Sequence, residues 1–260
     1  MTSNNSVRDG EIILQAANDG KWLKVLETYE AKKDLRTVKK PSTGDTILHM
    51  AVSSGELYIV GRIVDLVCLE RSNEQEGGEN GDEREQVFGA KNEKGNTPLH
   101  LAASASNGSA EMCKEIGDAS RSIITRGNKD GETPLFLAAL HGNKEAFLWL
   151  HDQSPQGSSS SNEPYKRNDN DTILHCAIAG GHIDMGIEII RLYKDHIIVM
   201  TMMRNKNGLS PLHILAATPS AFESTDLPSR FFVAQLLYHC KYIVFEGISC
   251  LQIMTSFCPL

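Results

Sequence analysis

Several things are missing from this chain of 260 residues, and each omission removes a class of function. Its six cysteines, at 68, 113, 176, 240, 250 and 258, include no Cys-x-x-Cys pair, and no pair of histidines follows at zinc spacing. They are too few and too scattered for a disulfide framework, which points to a reducing, cytoplasmic setting. No Gly-x-Ser-x-Gly elbow, phosphate-binding loop or dinucleotide fingerprint occurs, so neither an enzyme nor a small-molecule substrate nor a cofactor is expected. The opening MTSNNSVRDGEIIL lacks the charged start and apolar run of a secretory signal. No stretch reaches the roughly 20 apolar residues of a membrane span. The nearest, YIVFEGISCLQIMTSFC from Tyr242, is interrupted by Glu246 and Gly247.

Clustered positive charge is also scarce. The formal net charge is −7. Seven acids (Glu70, Glu74, Glu76, Glu79, Asp82, Glu83 and Glu85) stand between Cys68 and Val87 against only Arg71 and Arg84. One segment therefore holds most of the excess acid, and the rest is close to balanced. A nucleic-acid partner is not expected, because neutralising phosphates needs grouped Lys and Arg. With 40% hydrophobic and 23% charged residues the composition is that of a soluble globular protein rather than a disordered one.

What the chain does have is repetition. GDTILHMAVSSG from Gly44 returns as GNTPLHLAASAS from Gly95, GETPLFLAALHG from Gly131, NDTILHCAIAGG from Asn170 and GLSPLHILAATP from Gly208. The anchors are Thr46, Thr97, Thr133, Thr172 and Ser210. A copy worn at its start precedes them, IILQAANDGKWLKVLETY from Ile12, making about six units. The wording follows from helix chemistry. A Thr or Ser before the first turn caps orphan backbone N–H groups, and Pro is tolerated beside it because its missing donor costs nothing there. Leu48, Leu99, Leu135, Leu174 and Leu212 start an apolar stripe, and small pairs such as Ala102–Ala103 let neighbouring helices approach. A Gly such as Gly55 breaks each unit into two helices. No unit can bury both faces alone, so the units must stack.

The phrase resembles the ankyrin repeat. Gly95, Thr97, Pro98, Leu99, His100, Ala102 and Ala103 match its signature without a gap. The repeats at 46 and 172 carry Ile47 and Ile173 in place of Pro, and the repeat at 133 carries Phe136 in place of His. This resemblance implies an all-α ankyrin-repeat solenoid of helix-turn-helix units with β-turn fingers, spanning 10–240 after a flexible N-terminus at 1–9. An acidic insertion at 68–90 and a Ser/Pro loop at 152–165 read as mobile loops, the latter offering Ser154 and Ser158–Ser161 to phosphorylation. Residues 241–260 form an atypical apolar tail. The worn first unit, the GDTILH wording, the insertion after the second unit and NKNGLSPLHILA from Asn205 are similar to plant ankyrin proteins ending in a PGG domain, the accelerated-cell-death-like group. That likeness implies stress and defence signalling at a membrane. Nothing after Ala217 supplies the PGG motif or its spans, so the chain reads as a truncated or alternatively ended product. Membrane contact would come from the 241–257 stretch or from a membrane-spanning relative.

The recurring His49, His100, His175 and His213 are expected to pin the turns and link units. Stacked repeats put them about 10 Å apart, beyond any shared metal with its bonds of about 2 Å. Phe136 in the same slot agrees, so no metal site is expected. Cys176 reads as a core residue rather than a nucleophile. The sequons at Asn4, Asn107 and Asn170 carry no weight without a secretory route. The function expected is a non-enzymatic scaffold for other proteins, meeting its partner over roughly 1,600 Å². Its candidate contacts are the basic residues at the finger tips: Lys91, Lys94, Arg126, Lys129, Lys166, Arg167, Arg204 and Lys206, with Lys39–Lys40 ahead of them. They would dock an acidic partner or fold over the chain's own acidic insertion.

Overall fold

The computed structural model describes residues 2–69, 81–105, 109–154, 165–194 and 196–217. Thirteen α-helices occur among them, with isolated bridges at Lys39–Thr46 and Lys166–Thr172 in place of strands. The all-α expectation therefore holds. Five units are complete pairs: α1 (Thr2–Asn18) with α2 (Trp22–Ala31), α3 (Ile47–Ser53) with α4 (Leu57–Leu69), α6 (Pro98–Ser104) with α7 (Ser109–Ala119), α8 (Pro134–Leu140) with α9 (Lys144–Gln153), and α10 (Ile173–Ala179) with α11 (Ile183–Leu192). Helix α5 (Gly81–Phe88) lies between the second and third pairs, and α12 (Ile197–Met202) precedes α13 (Pro211–Ala216), the first helix of a sixth unit. None of these helices is long and apolar enough to cross a membrane.

The first helices stack in the order α1, α3, α6, α8, α10 and α13, and the second helices α2, α4, α7 and α9 stack beside them. The core is thus a continuous band running from Ile13 to Leu215. Ala51, Ala102, Ala103, Ala138 and Ala139 are fully buried where first helices meet, which is why small residues recur there. Second helices supply bulk instead: Val25, Val60, Cys113 and Phe147 are all fully buried. Emptying such a position to alanine typically costs about 3–5 kcal/mol for an aromatic ring.

The anchors behave as their chemistry requires. Thr46, Thr97, Thr133, Thr172 and Ser210 all have extended backbone just ahead of their helices. The Thr133 hydroxyl accepts from the Phe136 amide at 3.2 Å, and that of Thr172 from the His175 amide at 3.4 Å. In four of the five pairs the break between the helices is made by a left-handed glycine, Gly20, Gly55, Gly142 or Gly181, as at Gly55 with φ 73°.

Two regions depart from expectation. Residues 2–9, expected to be flexible, belong to helix α1. Of the acidic insertion, 81–88 is a helix rather than a loop, with Val87 and Phe88 at 1% and 0% exposure. The expectation failed because acid density masked the apolar pair at the segment's end, which anchors α5 in the core. Two arginines then hold its carboxylates. The buried Arg36 donates from Nη1 to Glu83 at 2.8 Å, and Arg126 pairs with Glu85. The remainder of the insertion (70–80), most of the Ser/Pro loop (155–164, with Ser158–Ser161) and the tail at 241–260 lie outside the described residues.

Candidate functional site

Each finger is a tight turn ahead of its anchor, and the fingers are welded to one another. Asn92 Oδ1 accepts from the Lys94 and Asn96 amides, both at 3.0 Å. Asn128 does the same for Asp130 and Glu132, and Asn205 for Asn207 and Leu209. The side-chain amides point to the preceding finger: Asn92 donates to Asp45 at 2.9 Å, Asn128 to Asn96 and Asn205 to Asp171, both at 2.8 Å. Backbone bonds complete a ladder. The amides of Glu93, Lys129, Asn168 and Lys206 donate to Thr43, Lys94, Asp130 and Asp169 respectively. At Gly95, φ is 78° and an added Cβ would lie 2.8 Å from the Lys129 amide nitrogen, so both the turn and the close approach require glycine.

These asparagines were not singled out from the sequence, although a signal exists. Asn-x-x-Gly recurs at Asn92, Asn128 and Asn205, each with the glycine that begins the repeated phrase. The fourth finger departs from it, carrying Arg167 in the asparagine slot and Asn170, left-handed with φ 65°, in the glycine slot.

The histidines are structural, and their bonds show how. Nδ1 of His49, His100 and His175 accepts from the amide of Thr46, Thr97 and Thr172 at 3.1–3.2 Å. Nε2 then donates to the carbonyl of Asn96, Glu132 and Leu209 in the next finger at 3.0–3.1 Å. Both ring nitrogens are committed, so none of the three has a lone pair to offer a metal. Among the described residues no group of three or more His, Cys, Asp or Glu is placed to hold one. Cys176 is buried, and burial pushes its thiol up to about 12, so it stays protonated rather than nucleophilic.

Burial holds these histidines below their ordinary range, and His100 lies at about 4. Protonating Nδ1 would set one donor against another. Between pH 6.5 and 4 the unfolded chain therefore binds protons that the folded chain refuses, and stability falls as pH drops through that window. A group shifted as far as His100 contributes roughly 3 kcal/mol to the loss. Urea midpoints at pH 7.5 and 4.5 test this: the acid midpoint should be clearly lower, and equal midpoints would contradict it.

The eight basic tip residues fall into distinct settings. Arg167 is drawn inward, reaching Glu132 at 3.0 Å, Asp169 at 2.8 Å and Asp171 at 2.6 Å. Its guanidinium also lies 5.8 Å from the centre of the Phe136 ring. The two departures from the repeat wording, Phe136 and Arg167, thus meet at one interface between units. Arg126 sits at a finger stem against Glu85 of α5. Lys91 donates to the Gly127 carbonyl at 3.1 Å and Arg204 to that of Gly208 at 3.2 Å. Lys166 is half-buried beside the bridge to Thr172. Lys94, Lys129 and Lys206 are exposed at the turns, the last 3.7 Å from Asp169. A groove of about 530 Å³ opens among the last fingers, lined by Asp130, Arg167, Asn168, Asp169 and Lys206.

Comparison with known proteins agrees with this geometry. No curated protein matches the chain. A family model described as ankyrin repeats, in three copies, matches residues 76–160, which take in the third and fourth helix pairs. The chain carries ankyrin repeats, and with its stacked pairs and laddered fingers it folds as an all-α ankyrin-repeat solenoid.

Proposed function

We propose that this chain is a non-enzymatic scaffold for other proteins and that its finger edge docks an acidic partner. Ankyrin repeats generally serve protein–protein interaction. The carrying observation is the ladder, which fixes Lys94 and Lys129 on adjacent exposed turns and Lys206 on an exposed turn two fingers further along. Binding there costs little ordering entropy, because the turns are already set by their asparagines and glycines. Acids at Glu93 and Asp130 dilute the field, so recognition depends on spacing rather than on net charge. Reversing Lys94, Lys129 and Lys206 together to Glu is expected to weaken capture of acidic partner proteins roughly tenfold and to flatten its salt dependence. Unchanged capture by a folded triple variant would refute the finger-edge reading.

The narrower proposal, plant stress or defence signalling in the cytoplasm or at the cytoplasmic face of a membrane, is supported by the likeness of residues 44–49 and 205–216 to the plant proteins. Fractionation of chains with and without 241–257 tests the membrane part. Identical partition of both forms into the soluble fraction would reject that stretch as an anchor.

A further inference from the structure

The edge away from the fingers, where each first helix turns back into its second, is chemically graded along the stack. Two residues before the buried positions 25, 60, 113, 147 and 186 stand Leu23, Tyr58, Glu111, Glu145 and Asp184, every one exposed. The acids occupy the first turns of α7, α9 and α11, where they offset the helix dipole. The first turns of α2 and α4 carry no acid. They present apolar groups to water, with Leu23 73% and Tyr58 67% exposed, and in α2 the exposed Lys24 follows Leu23. Single exposed apolar residues are ordinary. These two hold equivalent first-turn positions on adjacent helices, since α2 packs on α4, and the 39%-exposed Leu57 precedes Tyr58 in the chain.

A second observation lies one turn further along. Gly61 sits in the interior of α4 with ordinary helical backbone, and an added Cβ would meet nothing within 4 Å. Neither conformation nor packing requires glycine, yet glycine is less favourable than alanine in a helix interior. Gly117 of α7 differs, since a Cβ would strike the Trp149 ring at 2.3 Å. Gly61 therefore leaves open space on α4, one helical turn beyond Tyr58.

We propose that this edge binds a polypeptide segment of another protein, apolar at one end and rich in Lys or Arg at the other. An apolar side chain seats over Gly61 between Leu23 and Tyr58, and the cations face Glu111 and Glu145, with Asp184 extending the row. Neighbouring helices lie about 8–10 Å apart. A partner helix advances about 10 Å per heptad, so one residue every seventh position meets each unit in turn. Lys144 beside Glu145 is held by Glu188 at 3.2 Å, so the acids at Glu111, Glu145 and Asp184 favour a cationic polypeptide over an anionic lipid surface. This surface is separate from the finger edge, and its variants differ from those that test the fingers.

The probe is a fluorescent helical peptide of about 24 residues, with Leu at heptad positions in its first half and Lys at the same positions in its second, titrated against the full chain. The expected result is saturable binding that falls roughly tenfold in Gly61→Arg and in Leu23→Ser with Tyr58→Ser, and that loses its salt dependence in Glu111→Lys with Glu145→Lys. A peptide with Glu in place of Lys should bind roughly tenfold more weakly. Gly61→Ala, expected to raise the urea midpoint, shows that the position tolerates substitution, so loss in Gly61→Arg reads as blockage. Reversal of Lys94, Lys129 and Lys206 should leave the peptide bound. Binding indifferent to Gly61→Arg and to Tyr58→Ser would overturn the proposal. Vesicle binding, or self-association by sedimentation, that is lost in Tyr58→Ser would overturn it too, assigning the edge to lipid or to a second copy.

Discussion

His100→Ala is expected to destabilise the solenoid by about 3–5 kcal/mol. The imidazole accepts from the Thr97 amide at 3.1 Å and donates to the Glu132 carbonyl at 3.0 Å, with no exposure to solvent. Truncation leaves the buried Thr97 amide unmatched at a cost of about 1–3 kcal/mol, takes from the Glu132 carbonyl one of its two donors (the Asn128 amide at 2.9 Å remains), and adds a cavity. The loss falls at the junction of the third and fourth units, so it weakens coupling between neighbours as well as one helix start. His213→Ala should cost less, because that ring is half-buried and belongs to the last described unit. Urea denaturation of both variants checks the ranking. If the two lose stability equally, the link to the next finger is not what His100 contributes.

Glu83→Gln is expected to cost about 2 kcal/mol, and adding Arg36→Met should recover most of it. Arg36 is 1% exposed and its guanidinium stacks 5.5 Å from the centre of the Tyr29 ring, so it cannot turn to water when its carboxylate is removed. Glu83 is 29% exposed, which screens the pair and places the cost below that of a fully buried one. Methionine fills similar volume without a charge, so the double variant removes the buried cation rather than the packing. A double-mutant cycle measures the coupling. Strictly additive losses would show that the Arg36–Glu83 pair does not help to hold α5. Hydrogen exchange should also reveal faster opening at 81–88 in Glu83→Gln, since the strap loses one of its two arginine ties.

Much of this molecule was legible in its residues. The recurrence of Thr, Leu, His and paired Ala at one spacing identified helix starts, the stacked core and the structural role of the histidines, because caps and periodic apolar stripes are local chemistry. The same logic left the asparagines at 92, 128 and 205 unread. Their work is half local and half directed to the preceding finger, and nothing local announces the second half. It also counted all eight basic tip residues alike. Arg167 and Lys129 occupy neighbouring places in the sequence pattern, yet one is half-buried among three carboxylates and the other faces solvent.

The sequence by itself determined that this chain would be a stack of paired helices, since each unit's apolar faces and caps are written within about a dozen residues and can be satisfied only by a copy of itself. Tertiary structure alone decided which charges remain available. It folded part of the acidic insertion into α5 against Arg36 and Arg126, drew Arg167 over Phe136, and left Lys94, Lys129 and the Leu23–Tyr58 edge in water. The Arg36–Glu83, Arg126–Glu85 and Arg167–Glu132 pairs join residues 47, 41 and 35 positions apart, and their distances are set by the stacking of units rather than by any neighbouring residue.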